Sequence, residues 1–406
     1  MSIRDGLVIL SAAKDLHIIR GIHATGSTFP DFLIEYPWPF SWHVAAILGD
    51  TRHPFPLASS RDPVLLAPAS MHMSDALISP AVGGSLWAVT AGLLAAAARR
   101  VKTSLREDLV PMMGVMGAFV FAAQMINFSI PLTGSSGHIG GGLLLAILLG
   151  PHAAFLAIVS VLTVQALFFA DGGLLALGCN AFNLGVLPAF VAYPLLYRPL
   201  AGEARFGCRA WLAAIAASVV GLQLGAFAVV LETTASGISS LPLRTFAALM
   251  LPIHMAIGVV EGVATAAVVA FVARTRPAAC ADARPANRRV MVGFLLAALL
   301  AGGALSWFAS THPDGLEWAI GRVSGNNDVA ADGSGTHRRF ASVQEKTAIL
   351  PDYGFRTERA TEAPQSGTAP PAWPAVQAGT SVSGIMGGLM TLGLAVLVGI
   401  ALKALA

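Results

Sequence analysis

Hydropathy divides the chain into two regimes. Residues 1–70 mix proline, histidine and aromatic residues with charge, as in PDFLIEYPWPFSWHV, and contain no apolar run of bilayer-spanning length. They also lack the basic start, apolar stretch and small-residue cleavage site of a signal peptide. From Met71 onward, long apolar segments alternate with short polar ones. The pattern predicts helices at about 77–98, 110–128, 139–150, 152–170, 174–197, 210–231 and 246–273, then at 290–310 and 383–403. Most approach the roughly 20 residues needed to cross a bilayer. Segment 139–150 is too short for that, which makes it re-entrant or a half-span packed inside the bundle.

Basic residues orient the spans. The 99–109 linker holds Arg99, Arg100, Lys102 and Arg106, and the 198–209 linker holds Arg198, Arg205 and Arg209. The 274–289 linker adds Arg274, Arg276, Arg284, Arg288 and Arg289, whereas the opposite loops 129–138, 171–173 and 232–245 contain only Arg244. By the positive-inside rule the first set is cytoplasmic and Met71 lies outside. An even number of crossings must then separate the first two linkers, which gives seven crossings before residue 276. The fold class is all-α: a polytopic membrane protein with a seven-span core, 71–275, and a two-span carboxyl-terminal module, 290–406. A cytoplasmic linker, 276–289, joins them, and the module's external loop, 311–382, is polar, rich in Pro, Gly, Ser and Thr, and expected to be irregular.

Composition agrees with lipid as the solvent. Hydrophobic residues make up 55% and charged residues 12%, with mean hydropathy +0.70; soluble domains carry roughly 25% charged residues. The net charge of +3 is too small to point to nucleic acid. Forty-two glycines suit helices that approach closely in a membrane. Cys179, Cys208 and Cys280 form neither a paired motif nor a thiolate metal site. No phosphate-binding loop, HExxH or GxSxG pattern is present, so nucleotide hydrolysis and the commonest protease and hydrolase chemistries find no motif.

Two histidines stand out on the external side: His72, just before the first span, and His138, in the glycine-rich loop LTGSSGHIGGG. Topology brings both to one face of the membrane. Imidazole suits nickel and cobalt, and a square plane of nitrogens is diagnostic of Ni(II) or Cu(II). A chain starting at Met71 would offer its amine, the His72 amide and the His72 imidazole as one chelate, with His138 completing the plane. Taken alone, two loop histidines are a weak signal and read more readily as ordinary surface residues. Within the spans, Gln124, Asn127, Gln165, Asn180 and Asn183 suit interhelical hydrogen bonding, and Asn180 with Asn183 are placed to shape the histidine loop. His254 and Glu261 share one helix face and are either functional or an internal ion pair. The methionines at 112, 113 and 116 read as packing.

The segments MHMSDALISPAVGGSLWAV, GAFVFAAQMINFSIPLTGSSGHIGGGLLLAILLGP, FFADGGLLALGCNAFNLGVLP and HMAIGVVEGVATAAVV resemble the CbiM/NikM family over roughly 71–275. These are substrate-binding subunits of energy-coupling-factor importers for cobalt and nickel. The resemblance implies a free amino terminus at Met71 and Met71, His72 and His138 as metal ligands. It also implies Ni(II) or Co(II) as transported substrate, ATPase subunits and a coupling transmembrane subunit as partners, and residence in the cell (inner) membrane with an extracytoplasmic site. Further on, THPDGLEWAIGRV and ILPDYGF resemble the PDGLE module, the small auxiliary subunit of such importers, here fused to the core. That fusion leans toward nickel.

Two departures matter. The usual glycine after the acid near the start is Ala76, although Asp75 is retained and is placed to orient a ligand. An amide at Met71 would abolish the chelate, so residues 1–70 are expected to be a misassigned start or a leader removed before Met71; a functional extension is the alternative. Two other classes compete: a membrane metalloenzyme, which needs an open coordination position and a nearby base, and an ion-driven secondary transporter, for which no inverted repeat is evident.

Overall fold

The computed structural model describes residues 71–103, 109–202, 207–275, 288–325, 335–356 and 373–404, so the expected extension and linker residues 276–287 lie outside the described residues. The described residues belong to one compact unit. Its helices are α1 (Pro80–Thr103), α2 (Leu109–Gln124), α3 (Gly142–Leu149), α4 (Pro151–Phe168), α5 (Leu177–Ala201), α6 (Cys208–Ser236) and α7 (Leu243–Thr275). Behind them come α8 (Arg288–Gly303), α9 (Gly315–Ser324), α10 (Gly335–Thr347) and α11 (Ala378–Ala404). Among the described residues, six helices are long and apolar enough to cross a bilayer, and α2 is a shorter apolar one. The protein is a polytopic helical membrane protein.

One element is as short as expected, and two differ from the expected spans. The eight residues of α3 rise only about 12 Å, far short of a bilayer core. Pro151 then starts α4 at the position where a missing N–H costs least, so the two helices form a broken unit. Within α5, residues Phe182–Tyr197 take the wider π-type winding, with Pro188 and Pro194 inside it. Proline can neither donate to the preceding turn nor fit beneath its carbonyl, and a wider turn relieves both problems. Helix α2 stops at Gln124 rather than running to 128. A short antiparallel hairpin follows, β1 (Phe128–Ile130) against β2 (Ser135–Gly137), its turn beginning at Pro131.

Loop 311–382 is also more ordered than its composition suggested, since α9 and α10 both lie in it. Asp314 caps α9 by accepting from the Glu317 amide at 2.8 Å, while the Glu317 carboxylate accepts from the Asp314 amide at 3.3 Å. Leu316, Ala319 and Ile320 on that helix are buried beside Met73, Leu77 and Met250. A composition average hides such local amphipathicity. Residues 326–334 and 357–372 of the loop lie outside the described residues.

Helices α8 and α11 belong to the same bundle. Phe294 of α8 meets Phe119 of α2 edge-on, with ring centroids 5.1 Å apart. Along α11, Gly387 faces the buried Phe121 ring, and Gly384 faces the Gly302 backbone of α8. The buried apolar cluster runs through α2, α4, α8 and α11 and takes in Met113 and Met116, so the methionines are packing as expected.

Candidate metal site

The segment before α1 crosses the end of the bundle and is held there by paired hydrogen bonds. Asn180 of α5 accepts from the Met73 amide (3.1 Å) and donates to the Met73 carbonyl (3.0 Å), and the Gly173 amide adds a second bond to that carbonyl. Asp75 accepts from the Ala176 amide at the start of α5 (2.9 Å). These contacts bury His72, which is 4% exposed. Burial pushes the Asp75 carboxyl above its usual range, against the lowering effect of the amides at the start of α5.

His72 Nδ1 lies 3.1 Å from Asp171 Oδ2. A carboxylate accepts, so the ring donates from Nδ1. Burial alone would raise the Asp171 carboxyl, but the His72 charge and hydrogen bond, with a third contribution from the Tyr353 hydroxyl, outweigh it and hold it at about 2. Asp171 sits in a sharp turn between α4 and α5. Gly172 has φ +83° there, and a β-carbon on it would come within 3.0 Å of the His72 side chain.

His138 follows the hairpin. Its ring centroid is 5.4 Å from that of His72, and its Nε2 points at the Met71 carbonyl, 3.3 Å away. Nδ1 faces the Ile139 carbonyl at 3.2 Å. Burial, together with the neighbouring His72, lowers the His138 pKa, which favours the neutral ring with a lone pair to give.

Glu261 of α7 fixes the backbone of this loop. Its two carboxylate oxygens accept from the Gly140 amide (2.9 Å) and the Gly141 amide (3.1 Å) at the start of α3. Gly141 has φ +78°, which turns successive amides toward one carboxylate. Gln124 donates to the Gly140 carbonyl (2.9 Å), and Gln165 donates to Gln124 (2.9 Å), so those amides do join helices as expected. The ion-pair reading of His254 and Glu261 is not borne out: Glu261 holds the two glycine amides, and His254 Nδ1 donates to the Met250 carbonyl at 2.8 Å.

A cavity of about 90 Å³ opens beneath the two histidines. Met71, His72, His138, Asn180, Asn183, His254 and Glu261 all line it, so the residues singled out in the sequence converge, except that Asp75 lies behind the wall. Asn183 donates to Glu232 of α6 (2.9 Å). Among the described residues no group of three or more His, Cys, Asp or Glu side chains is arranged to hold a metal ion.

Sequence reasoning missed Asp171 and Glu232, and it expected the PDGLE segment to help load or retain metal without the contacts it makes. Asp314, Gly315 and Leu316 of the PDGLE motif line the same cavity. The Ser136 amide of the hairpin donates to the Pro313 carbonyl (2.7 Å), and Trp318 Nε1 donates to the Thr133 carbonyl (3.0 Å). His337 Nε2 donates to the carbonyls of Asp75 (3.1 Å) and Ile78 (2.9 Å). Gln344 donates to the Gly172 carbonyl (2.7 Å), and Tyr353 to Asp171 (2.5 Å). Asp171 and Tyr353 lie in the quoted segments FFADGG and ILPDYGF, but no role was read for either; nothing local marked His337.

A profile of the family described as the cobalt uptake substrate-specific transmembrane region, CbiM, matches residues 72–279, and a PDGLE domain profile matches residues 288–404. The fused nickel transport protein NikMN of Rhodobacter capsulatus is 30% identical over 308 residues, which covers 70% of this chain and 88% of that one. A putative fused nickel transport protein NikMN of Archaeoglobus fulgidus is 37% identical over 207 residues, covering 51% of this chain and 67% of the relative. The cobalt transport protein CbiM of Geobacter sulfurreducens is 36% identical over 223 residues, covering 53% of this chain and 63% of its own.

Proposed function

We propose that this chain, which belongs to the CbiM family and carries a PDGLE domain behind it, captures Ni(II) or Co(II) outside the cell (inner) membrane for ATP-driven import. Family membership and nickel- and cobalt-transporting relatives support a membrane protein of metal uptake. The observation that carries the site is the meeting of His72 and His138, distant in sequence, with His138 Nε2 aimed at the main chain of residue 71. With the chain beginning at Met71, the amine would belong to the residue whose carbonyl that nitrogen faces. Amine, deprotonated His72 amide, His72 imidazole and His138 then make a square plane of nitrogens, a geometry that suits Ni(II) and disfavours metals that prefer tetrahedral or octahedral ligands.

The chelate sets a condition on His72. Only Nδ1, the nitrogen nearer the backbone, can close a ring with the residue's own amide. Nδ1 now faces Asp171, so metal entry turns the imidazole and hands the Asp171 contact to Nε2–H. That arrangement is the carboxylate–histidine–metal pairing in which the acid orients the ring and raises its basicity. Energy comes from separate ATPase subunits and a coupling transmembrane subunit, since no phosphate-binding loop is present in this sequence.

Calorimetric titration of Ni(II) and Co(II) into the full chain purified from membranes, with its amino-terminal residue sequenced, tests this. High-affinity binding at one metal per chain, lost in His72→Ala and His138→Ala, is the expected result. Retention of full affinity in His138→Ala would sink the ligand set. Metal uptake that survives removal of the cell's partner ATPase would sink the ATP-driven reading.

A further inference from the structure

The hydroxyl of Tyr353 meets the same oxygen of Asp171 that faces His72. Asp171 Oδ2 lies 2.5 Å from the Tyr353 hydroxyl and 3.1 Å from His72 Nδ1, and Asp171 is 3% exposed. Tyr353 reaches it from beyond the PDGLE motif, in the segment between α10 and α11. Several features hold it there. Its ring stacks on Phe169 at 5.1 Å and 18° and meets Phe121 edge-on. The Leu350 and Asp352 amides donate to the Phe168 and Phe169 carbonyls at 3.2 and 2.9 Å. Asp352 and Tyr353 have φ of +50° and +60°, the left-handed region that side-chain-bearing residues rarely adopt. Two successive residues in that conformation persist only where the surroundings over-determine them. Here the turn delivers one hydroxyl to one carboxylate.

We infer that Tyr353 is a positioning residue for the metal site, acting through Asp171 on His72. The inference rests on the proposed ligand set and adds a residue to it from the carboxyl-terminal domain. A carboxylate that holds a ligand imidazole must itself be held, because a free carboxyl rotates about its own bonds and relaxes the ring it orients. Asp171 has its backbone amide bonded to the Gln165 carbonyl (3.1 Å), while the Tyr353 hydroxyl restrains the side chain. The Tyr353 hydroxyl donates to Asp171, and Asp171 in turn accepts from His72, so the route from Tyr353 to the proposed ligand runs through that carboxylate.

The test is a double-mutant cycle on Ni(II) affinity, using the full chain, with Tyr353→Phe, Asp171→Asn, the double variant and His138→Ala. Tyr353→Phe keeps the stacked ring and removes only the hydroxyl. Asp171→Asn is expected to weaken binding by about 10–100-fold, the range for removing an acid behind a metal-bound histidine. Tyr353→Phe should weaken it several-fold and shift the visible absorption of bound Ni(II), with little effect in the Asp171→Asn background. A merely structural tyrosine would lower thermal stability while its effect on affinity multiplied fully with that of Asp171→Asn; that result, or wild-type affinity in Tyr353→Phe, overturns the inference. When wild type binds Ni(II) and His138→Ala does not, such a failure belongs to Tyr353 alone. Equal binding by wild type and His138→Ala means that the ligand set fails and takes this inference with it.

Discussion

Residues 288–404 meet the preceding helices at two depths, and the chemistry of contact differs between them. Within the apolar bundle, α8 and α11 lie against α2 and each other through glycines and rings, with Gly384 on the Gly302 backbone and Phe294 on Phe119. Lipid tails are as apolar as these surfaces, so close approach and dispersion, rather than hydrophobic burial, hold them together. At the end that carries the histidines, the contacts are directed hydrogen bonds from side chains to the segments around His72 and His138. His337 grips the carbonyls of Asp75 and Ile78, Gln344 that of Gly172, and Tyr353 the Asp171 carboxylate. The deep seam fixes where the domain sits, and the polar seam acts on the site. Substitutions in the first should change stability; those in the second should change metal affinity.

The largest effect belongs to the deep seam. A β-carbon on Gly384 would lie 2.3 Å from the Gly302 carbonyl oxygen, and backbone cannot swing aside as a side chain can. Gly384→Val should destabilise the protein by about 1–3 kcal/mol, the range for overpacking a filled interior. Gly393, also on α11, has nothing within 4 Å, so Gly393→Ala should be neutral or stabilising by up to about 1 kcal/mol. Thermal unfolding in detergent reads both. Equal, small effects at the two positions would show that α8 and α11 do not touch as described.

The two seams were unequally legible in the sequence. Long apolar helices declared themselves, because lipid demands long runs and charge asymmetry orients them. His72 and His138 were also visible, as imidazoles at the same end of neighbouring spans. Asp171 and Tyr353 were not. Each matters only because a partner far along the chain stands opposite it, and no local spacing reports that. The hairpin after α2 escaped for a related reason: three-residue strands carry too little alternation to read, and Pro131 signalled only that the helix could not continue. The wide winding of α5 follows from Pro188 and Pro194, which were visible, but a kink satisfies the same prolines equally well.

Glu261 sharpens the comparison from the side of the core. It sits within a membrane-spanning helix, yet it serves the histidine loop by accepting from the Gly140 and Gly141 amides. Glutamine has nearly the same shape but must turn its NH2 toward one of those amides. Glu261→Gln should therefore cost about 1–3 kcal/mol locally and weaken Ni(II) binding by about tenfold, equivalent to about 1.4 kcal/mol. Titration calorimetry beside Gly384→Val separates the cases: the glycine variant should lose stability and keep affinity, whereas the glutamine variant should lose about tenfold in affinity besides its local cost in stability. Similar losses of both in both variants would erase the distinction between the seams.

The smallest expected effect asks whether the polar seam holds charge or merely hydrogen bonds, and Asp75 decides it. Two influences oppose each other there. Burial favours the neutral carboxyl, while the amides at the start of α5 and the neighbouring His337 favour the carboxylate; burial is the larger, so the pKa in the folded chain is raised. A raised carboxyl pKa means that the group's contribution to stability is complete below the unfolded value, about 3.9, and is lost as pH rises through the folded value. Asparagine at position 75 can still accept from the Ala176 amide and does not titrate. Wild type should thus lose stability relative to Asp75→Asn as pH climbs from about 4, by less than about 1 kcal/mol, and the gap should then stay constant. Unfolding midpoints of the two proteins across pH 4–8 measure it. A gap that opens the other way would mean that the α5 amides win and Asp75 is held as an anion. The segment carrying His72 would then be pinned by charge as well as by hydrogen bonds, and added salt should loosen it.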